Sequence, residues 1–127
     1  MDKATDLAEA ATLGAAMLRD DAAAGIVDTL SADAFAREAH RVMFEAIAAL
    51  VADGEPVDTV TVTDRLASRG RLDEVGGAVA VSSLTSLETT PVPASWRHYC
   101  RAVAEDHDRR LRVAELRKEL TALEAGR

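Results

Sequence analysis

Residues 35–54 read FAREAHRVMFEAIAALVADG, and this stretch carries the strongest periodic signal in the chain. Phe35, Ala39, Val42, Met43, Ala46, Ile47, Leu50 and Val51 recur every three to four residues, the spacing of one helical face. Arg37, Glu38, Arg41, Glu45 and Asp53 lie mostly off that stripe. Gly54 is placed to stop the helix, because a residue just past a helix end often takes a left-handed conformation that glycine adopts freely. The pattern predicts a helix over 35–52 with Phe35, Phe44 and Ile47 in the core. His40 sits at the edge of the stripe and is expected to be a packed histidine with a single hydrogen bond.

Working outward, Glu55-Pro56-Val57-Asp58 reads as a turn, with Asp58 or Thr59 as cap of a helix through Val62 and Leu66 that Gly70 ends. Residues 71–75 read as another turn or short helix closed by Gly76 and Gly77. In 78–88, Val79 and Val81 alternate and allow a strand, but no partner strand is evident and a helix is the preferred reading. On the other side, Leu7, Leu13, Met17 and Leu18 predict an amphipathic helix over 5–18, containing Gly14 and ended by Asp20-Asp21. A short helix follows over 22–30, and Ser31 is a plausible cap for the next turn.

Thr89-Thr90-Pro91-Val92-Pro93 is the clearest break, since closely spaced prolines disfavour regular structure. Beyond it a long helix is expected over about 94–124. Its second half carries Val113, Leu116, Leu120 and Leu123, a 3-4-3 spacing that seeks a partner helix. The expected architecture is all-α: a compact orthogonal bundle of about five to six short helices, then one long projecting C-terminal helix. A boundary at 92/93 would separate a helical head (1–92) from a helical arm (93–127).

Composition agrees with this reading. The 127-residue chain is 48% hydrophobic, 29% charged and only 3% aromatic, with alanine dominant, which favours helices over sheets. A net charge of −7 disfavours direct nucleic-acid binding, which relies on Lys and Arg at phosphates. Arg97, Arg101, Arg109, Arg110, Arg112 and Arg117 form a local strip, but interleaved carboxylates explain it as i,i+4 pairs. A single cysteine, Cys100, precludes an intrachain disulfide, making a reducing cytoplasm the simplest home. No signal peptide or apolar run long enough to span a membrane is visible.

Catalytic chemistry is hard to find. Lysine occurs only as Lys3 and Lys118, neither preceded by glycine, so no P-loop exists in the chain. His98 and His107 lie nine positions apart, about two and a half helical turns, and so face opposite sides. Cys100 among apolar neighbours reads as a buried structural thiol. No cofactor or metal is expected, and the chain is not expected to be an enzyme by itself.

The assembled blocks resemble the N-terminal domain of DnaB-type replicative DNA helicases. Ala8-Glu9 with Leu13-Gly14 is similar to the family's opening A-E-x-x-x-L-G. Phe35, His40-Arg41, Phe44, Ala46-Ile47 and Leu50 are similar to its long second block. Gly54-x-Pro56-Val57-Asp58-x-Val60-Thr61-Val62 resembles its turn and helix start. Leu66, Gly70, Leu72 and Gly76-Gly77 continue in register, and Pro91, His98-Tyr99 and Val103 resemble the final block. The likeness runs from about residue 7 to 112. It implies a scaffold role in replication: a collar above a motor ring, paired through a helical hairpin and contacting primase or a helicase loader. The motor would lie in a separate domain. Two departures stand out. Ala80-Val81 replaces the family's aromatic-Leu pair, and the sequence stops at Arg127 after the first hairpin helix, so the pairing surface is either incomplete or completed by another copy. Self-association, as a dimer or higher, is therefore expected through Val113, Leu116, Leu120 and Leu123. An acidic helix-turn-helix DNA-binding regulator, built on the turns around 59–77, is the alternative. Asp73 and Glu74 oppose it, because its second helix would present them to phosphates.

Overall fold

The computed structural model describes residues 3–126, which form six α-helices and no strand. The helices are α1 (Lys3–Leu18), α2 (Asp20–Thr29), α3 (Glu38–Ala52), α4 (Thr59–Ser68), α5 (Gly77–Ser83) and α6 (Trp96–Ala125). Short 3-10 turns at Ala32–Ala34, Leu72–Val75 and Pro93–Ser95 connect them. The all-α class and the long last helix match the sequence expectation. In 77–83 the helical alternative holds over the strand.

Local chemistry explains the α3–α4 corner. α3 ends on two reciprocal bonds, from Glu55 N–H to the Leu50 carbonyl at 2.9 Å and from Gly54 N–H to Val51 at 3.1 Å. That closure requires a left-handed residue, and Gly54 supplies it with φ of 70°. Asp58 then caps α4. Its carboxylate accepts from Thr61 N–H at 2.8 Å, while Asp58 N–H donates to the Thr61 hydroxyl at 2.9 Å. This capping box satisfies two backbone donors that a helix start leaves open.

Three expectations change. Phe35 does not begin α3: the helix starts at Glu38, and Phe35 is extended backbone. Its ring is still fully buried and stacks on Phe44, with centroids 5.1 Å apart. Asp20 and Asp21 do not end α1 either. They form the first turn of α2, where carboxylates face the positive end of the helix dipole. Finally, α1 is not amphipathic over its length. Every residue from Ala11 to Met17 is buried, because α2, α3, the 84–90 segment and α6 all close around it, while Leu7 and Leu18 lie exposed.

Small residues make that central position feasible. A Cβ at Gly14 would sit 2.0 Å from the Thr90 hydroxyl and 2.1 Å from the Leu84 carbonyl oxygen. Gly25 on α2 has the same function for the Trp96 ring, which a Cβ would meet at 2.2 Å. α6 joins the core only through its first turns. Trp96, Cys100 and Val103 belong to the same buried cluster as Leu13, Ile26 and Ile47, so the head's core reaches across residue 93. From Leu111 onward every described residue of α6 is exposed.

Candidate partner interface

The predicted association residues lie on that exposed part of α6. Val113, Leu116, Leu120 and Leu123 are 46%, 50%, 56% and 69% exposed, and all fall on one helical stripe. Leu111 is exposed as well but points to the far side, two residues before the stripe begins. Large apolar side chains are rarely left in water in a line, so this face is the leading candidate for contact with another chain.

A polar clamp sets the direction in which the arm leaves the head. Asp106, the last buried residue of α6, accepts from the Thr5 hydroxyl of α1 at 3.0 Å and from the Arg110 guanidinium at 2.8 Å. Arg110 also donates to the Ala34 carbonyl at 2.7 Å, and Arg109 reaches Asp106 at 3.3 Å. The Asp106 carboxyl feels burial first, which pushes it up. The bonds from Arg110 and Thr5 and the charges of Arg110 and Arg109 outweigh this and hold it below its ordinary value. The clamp thus ties α6 to α1 and to the turn before α3.

The arginine strip is paired as expected only in part, with Arg110 and Asp106 forming the i,i+4 pair. Arg109 and Arg110 share Asp106, and Arg97 stacks over Trp96 with its guanidinium carbon 4.3 Å from the ring centroid. Among the described residues, Arg112 and Arg117 have no ion-pair partner.

A second buried polar centre lies inside the head. Glu9, fully buried on α1, accepts from Ala36 N–H at 2.6 Å and Arg37 N–H at 3.4 Å, and lies 2.8 Å from His40 Nδ1. Arg37 occupies the N-cap of α3 and has no side chain suited to capping, so Glu9 caps this helix from another element. Burial pushes the Glu9 carboxyl up. The bonds from His40, Ala36 and Arg37 prevail and leave it below its ordinary 4.5, hence ionised at neutral pH, with His40 donating from Nδ1. His40 is therefore one half of a buried pair with Glu9.

The remaining predicted residues are structural in placement: Leu13 and Ile47 are fully buried, and Pro56 lies in the exposed turn between α3 and α4. Gly76 ends the Leu72–Val75 turn with φ of 99°, and Gly77 opens α5 with φ of 85°. Cys100 is buried, which pushes its thiol up and is only partly offset by the Thr29 hydroxyl. That makes it a poor nucleophile at neutral pH. Among the described residues, no group of three or more His, Cys, Asp or Glu could hold a metal, and no helix is long and apolar enough to cross a membrane.

The sequence reading missed one surface feature. An open apolar groove of about 540 Å³ runs between α4 and α5, lined by Val60, Thr63, Ala67, Ala78 and Val79. Val60 and Val79 are largely exposed there. Both fall on helices whose buried faces are carried by Val62, Leu66 and Val81, and that offset is the only sequence signal of the groove.

Comparison with known proteins gives one consistent result. The family model described as DnaB-like helicase N terminal domain matches residues 3–105. The chain is 39% identical over 99 residues to the replicative DNA helicase DnaB of Leifsonia xyli, covering 78% of this chain and 21% of that protein. It is 40% identical over 98 residues to the replicative DNA helicase DnaB of Mycobacterium leprae, covering 77% of this chain and 16% of that protein. The chain thus spans about a fifth of the length of the curated relatives it matches. The crystal structure of the N-terminal domain of DnaB helicase from Mycobacterium tuberculosis superposes with a TM-score of 0.88 at 35% identity. That superposition covers 94% of this chain and 84% of the solved one. The match includes the Glu9, Gly54–Asp58 and Gly76-Gly77 blocks and most of the chain, so the chain belongs to the DnaB-like helicase N-terminal domain family.

Proposed function

We propose that this chain is a non-catalytic association and docking domain of a DnaB-like replicative helicase. It acts in DNA replication by helping to form a collar and by contacting primase or a helicase loader. The observation that carries the reading is the exposed Val113–Leu116–Leu120–Leu123 stripe, held clear of the head by the Asp106 clamp. Burying such a stripe against another helix removes apolar surface from water. The net charge of −7 supports protein rather than nucleic-acid partners. The residues with titratable side chains inside the head, Glu9 and His40, are consumed by helix capping, which favours a scaffold over a reaction centre.

The test is a binding titration against the C-terminal domain of the host primase and against the host's full-length helicase, with light scattering for stoichiometry. Saturable binding to either partner is expected. A folded protein that binds neither, at any concentration up to high micromolar, overturns the docking role.

A further inference from the structure

The two buried polar centres meet on one short stretch of backbone. Between the Ala32–Ala34 turn and α3, Phe35 and Arg37 are extended, with φ and ψ of −87° and 126° and of −85° and 130°. Extended backbone outside a sheet leaves its peptide groups without local partners, so side chains must satisfy them. Three helices supply those side chains. The Ala34 carbonyl accepts from Arg110 of α6 at 2.7 Å. The Phe35 and Ala36 carbonyls accept from Arg41 of α3 at 2.9 and 3.0 Å. The Ala36 and Arg37 N–H groups donate to Glu9 of α1 at 2.6 and 3.4 Å.

These bonds close into a ring. Thr5 and Glu9 lie one turn apart on the same face of α1. From Thr5 the ring passes to Asp106 at 3.0 Å, from Asp106 to Arg110 at 2.8 Å, and from Arg110 to the Ala34 carbonyl. Two residues later, Ala36 N–H returns it to Glu9. Thr5, Glu9, Ala34 and Asp106 are all buried, so water does not readily replace a lost link. Thr5 and Asp106 are 101 residues apart and Ala34 and Arg110 are 76 apart, so only the folded head brings the members together.

A ring behaves differently from two separate contacts. Arg110 holds the turn by a carbonyl and ties it to α6, while Glu9 holds it by two N–H groups and ties it to α1. With either side released, the turn is free to shift toward the other, and the remaining bond loses its fixed counterpart. We infer that the ring is a coupling device between the base of the arm and the start of α3. A displacement of α6 at Asp106 moves the 34–37 turn and loosens the Glu9 cap, and loosening the cap frees α6 in return. The coupling is independent of the association proposed above and of whatever covers the arm.

A double-mutant cycle in urea denaturation tests it, on the full chain at one protein concentration, with amide resonances of the same folded proteins read by NMR. Arg110→Ala is expected to raise the unfolding equilibrium constant about tenfold in the native background, but no more than about twofold beside Glu9→Gln. Asp58→Ala, at the separate α4 cap, is the reference and should act by the same factor in both backgrounds. In folded Arg110→Ala the Ala36 and Arg37 amide protons should move upfield, marking longer bonds to Glu9, although neither N–H touches Arg110. Glu9→Gln should in turn shift the Arg110 guanidinium resonances. Equal factors for Arg110→Ala in the two backgrounds, or Ala36 and Arg37 amides that keep their native positions, overturn the coupling and leave two independent contacts. Should Glu9→Gln not fold, the amide positions in Arg110→Ala decide alone.

Discussion

α1 and the far half of α6 are both helices rich in alanine and leucine, yet their surroundings are opposite. From Ala11 to Met17, α1 is sealed on every side, and even Thr12 and Glu9 are out of water. From Leu111 to Ala125, α6 is packed by no other described element closely enough to bury a single residue. The difference lies in side-chain size. α1 presents Gly14, Ala11, Ala15 and Ala16, which let neighbouring backbone approach, whereas the α6 arm carries a narrow line of larger residues between charged borders. One helix organises a fold, and the other leaves an apolar line exposed.

The contrast breaks most severely at Gly14. Gly14→Val drives side-chain atoms into the Leu84 carbonyl and the Thr90 hydroxyl, and the loss of stability should exceed about 3 kcal/mol in urea denaturation. A retained native midpoint would mean that the 84–90 segment yields easily and is not part of the head's fixed core.

Glu9→Gln probes the same helix electrostatically and should cost about 2 kcal/mol at pH 7, because the α3 N-terminus and His40 lose their charged acceptor. The sign with pH follows from the depressed folded value. The Glu9 contribution is whole above the ordinary 4.5 and is lost as pH falls through the lower value it has when folded. The gap between native and variant stability should therefore narrow in acid. A gap that stays constant from pH 7 to pH 3 would show that the carboxylate charge is not what stabilises the cap.

Asp58→Ala removes the capping box of α4, and a thermal melt should register a loss of about 1 kcal/mol. The smallest effect belongs to the arm. Leu116→Asp with Leu120→Asp should change the stability of the monomeric head by no more than about 0.5 kcal/mol, since both side chains are exposed among the described residues. A larger loss, measured at concentrations where the native chain is monomeric, would place the arm within the folding unit of the head.

What the sequence displays and what it hides follow the same division. The Gly54–Asp58 corner is legible because every group in it lies within a few residues of its partner: Gly54 closes on Val51, and Asp58 on Thr61. The arm is legible because nothing overrides its 3-4-3 spacing. The Glu9 cap is not, because the acceptor lies 27 residues from the Ala36 donor it satisfies. One cue does exist. Phe35-Ala36-Arg37-Glu38 offers no Ser, Thr, Asp or Asn to cap α3, so a remote acceptor is required, though its identity cannot be read locally. Phe35 misleads for a related reason: its spacing continues the α3 stripe, while its backbone is already extended. The centrality of α1 is masked by alanine, which a hydrophobic pattern weights lightly although it allows the closest packing.

The Asp106 clamp turns a helix into a lever. From that residue to Leu123 the arm rises about 26 Å, so a tilt of about 10° at the clamp displaces the tip by roughly 4–5 Å, close to one helical turn. Thr5, Arg110 and the Ala34 carbonyl are thus the fulcrum for anything seated on the arm. A small rotation there is magnified into a sideways displacement at the far end.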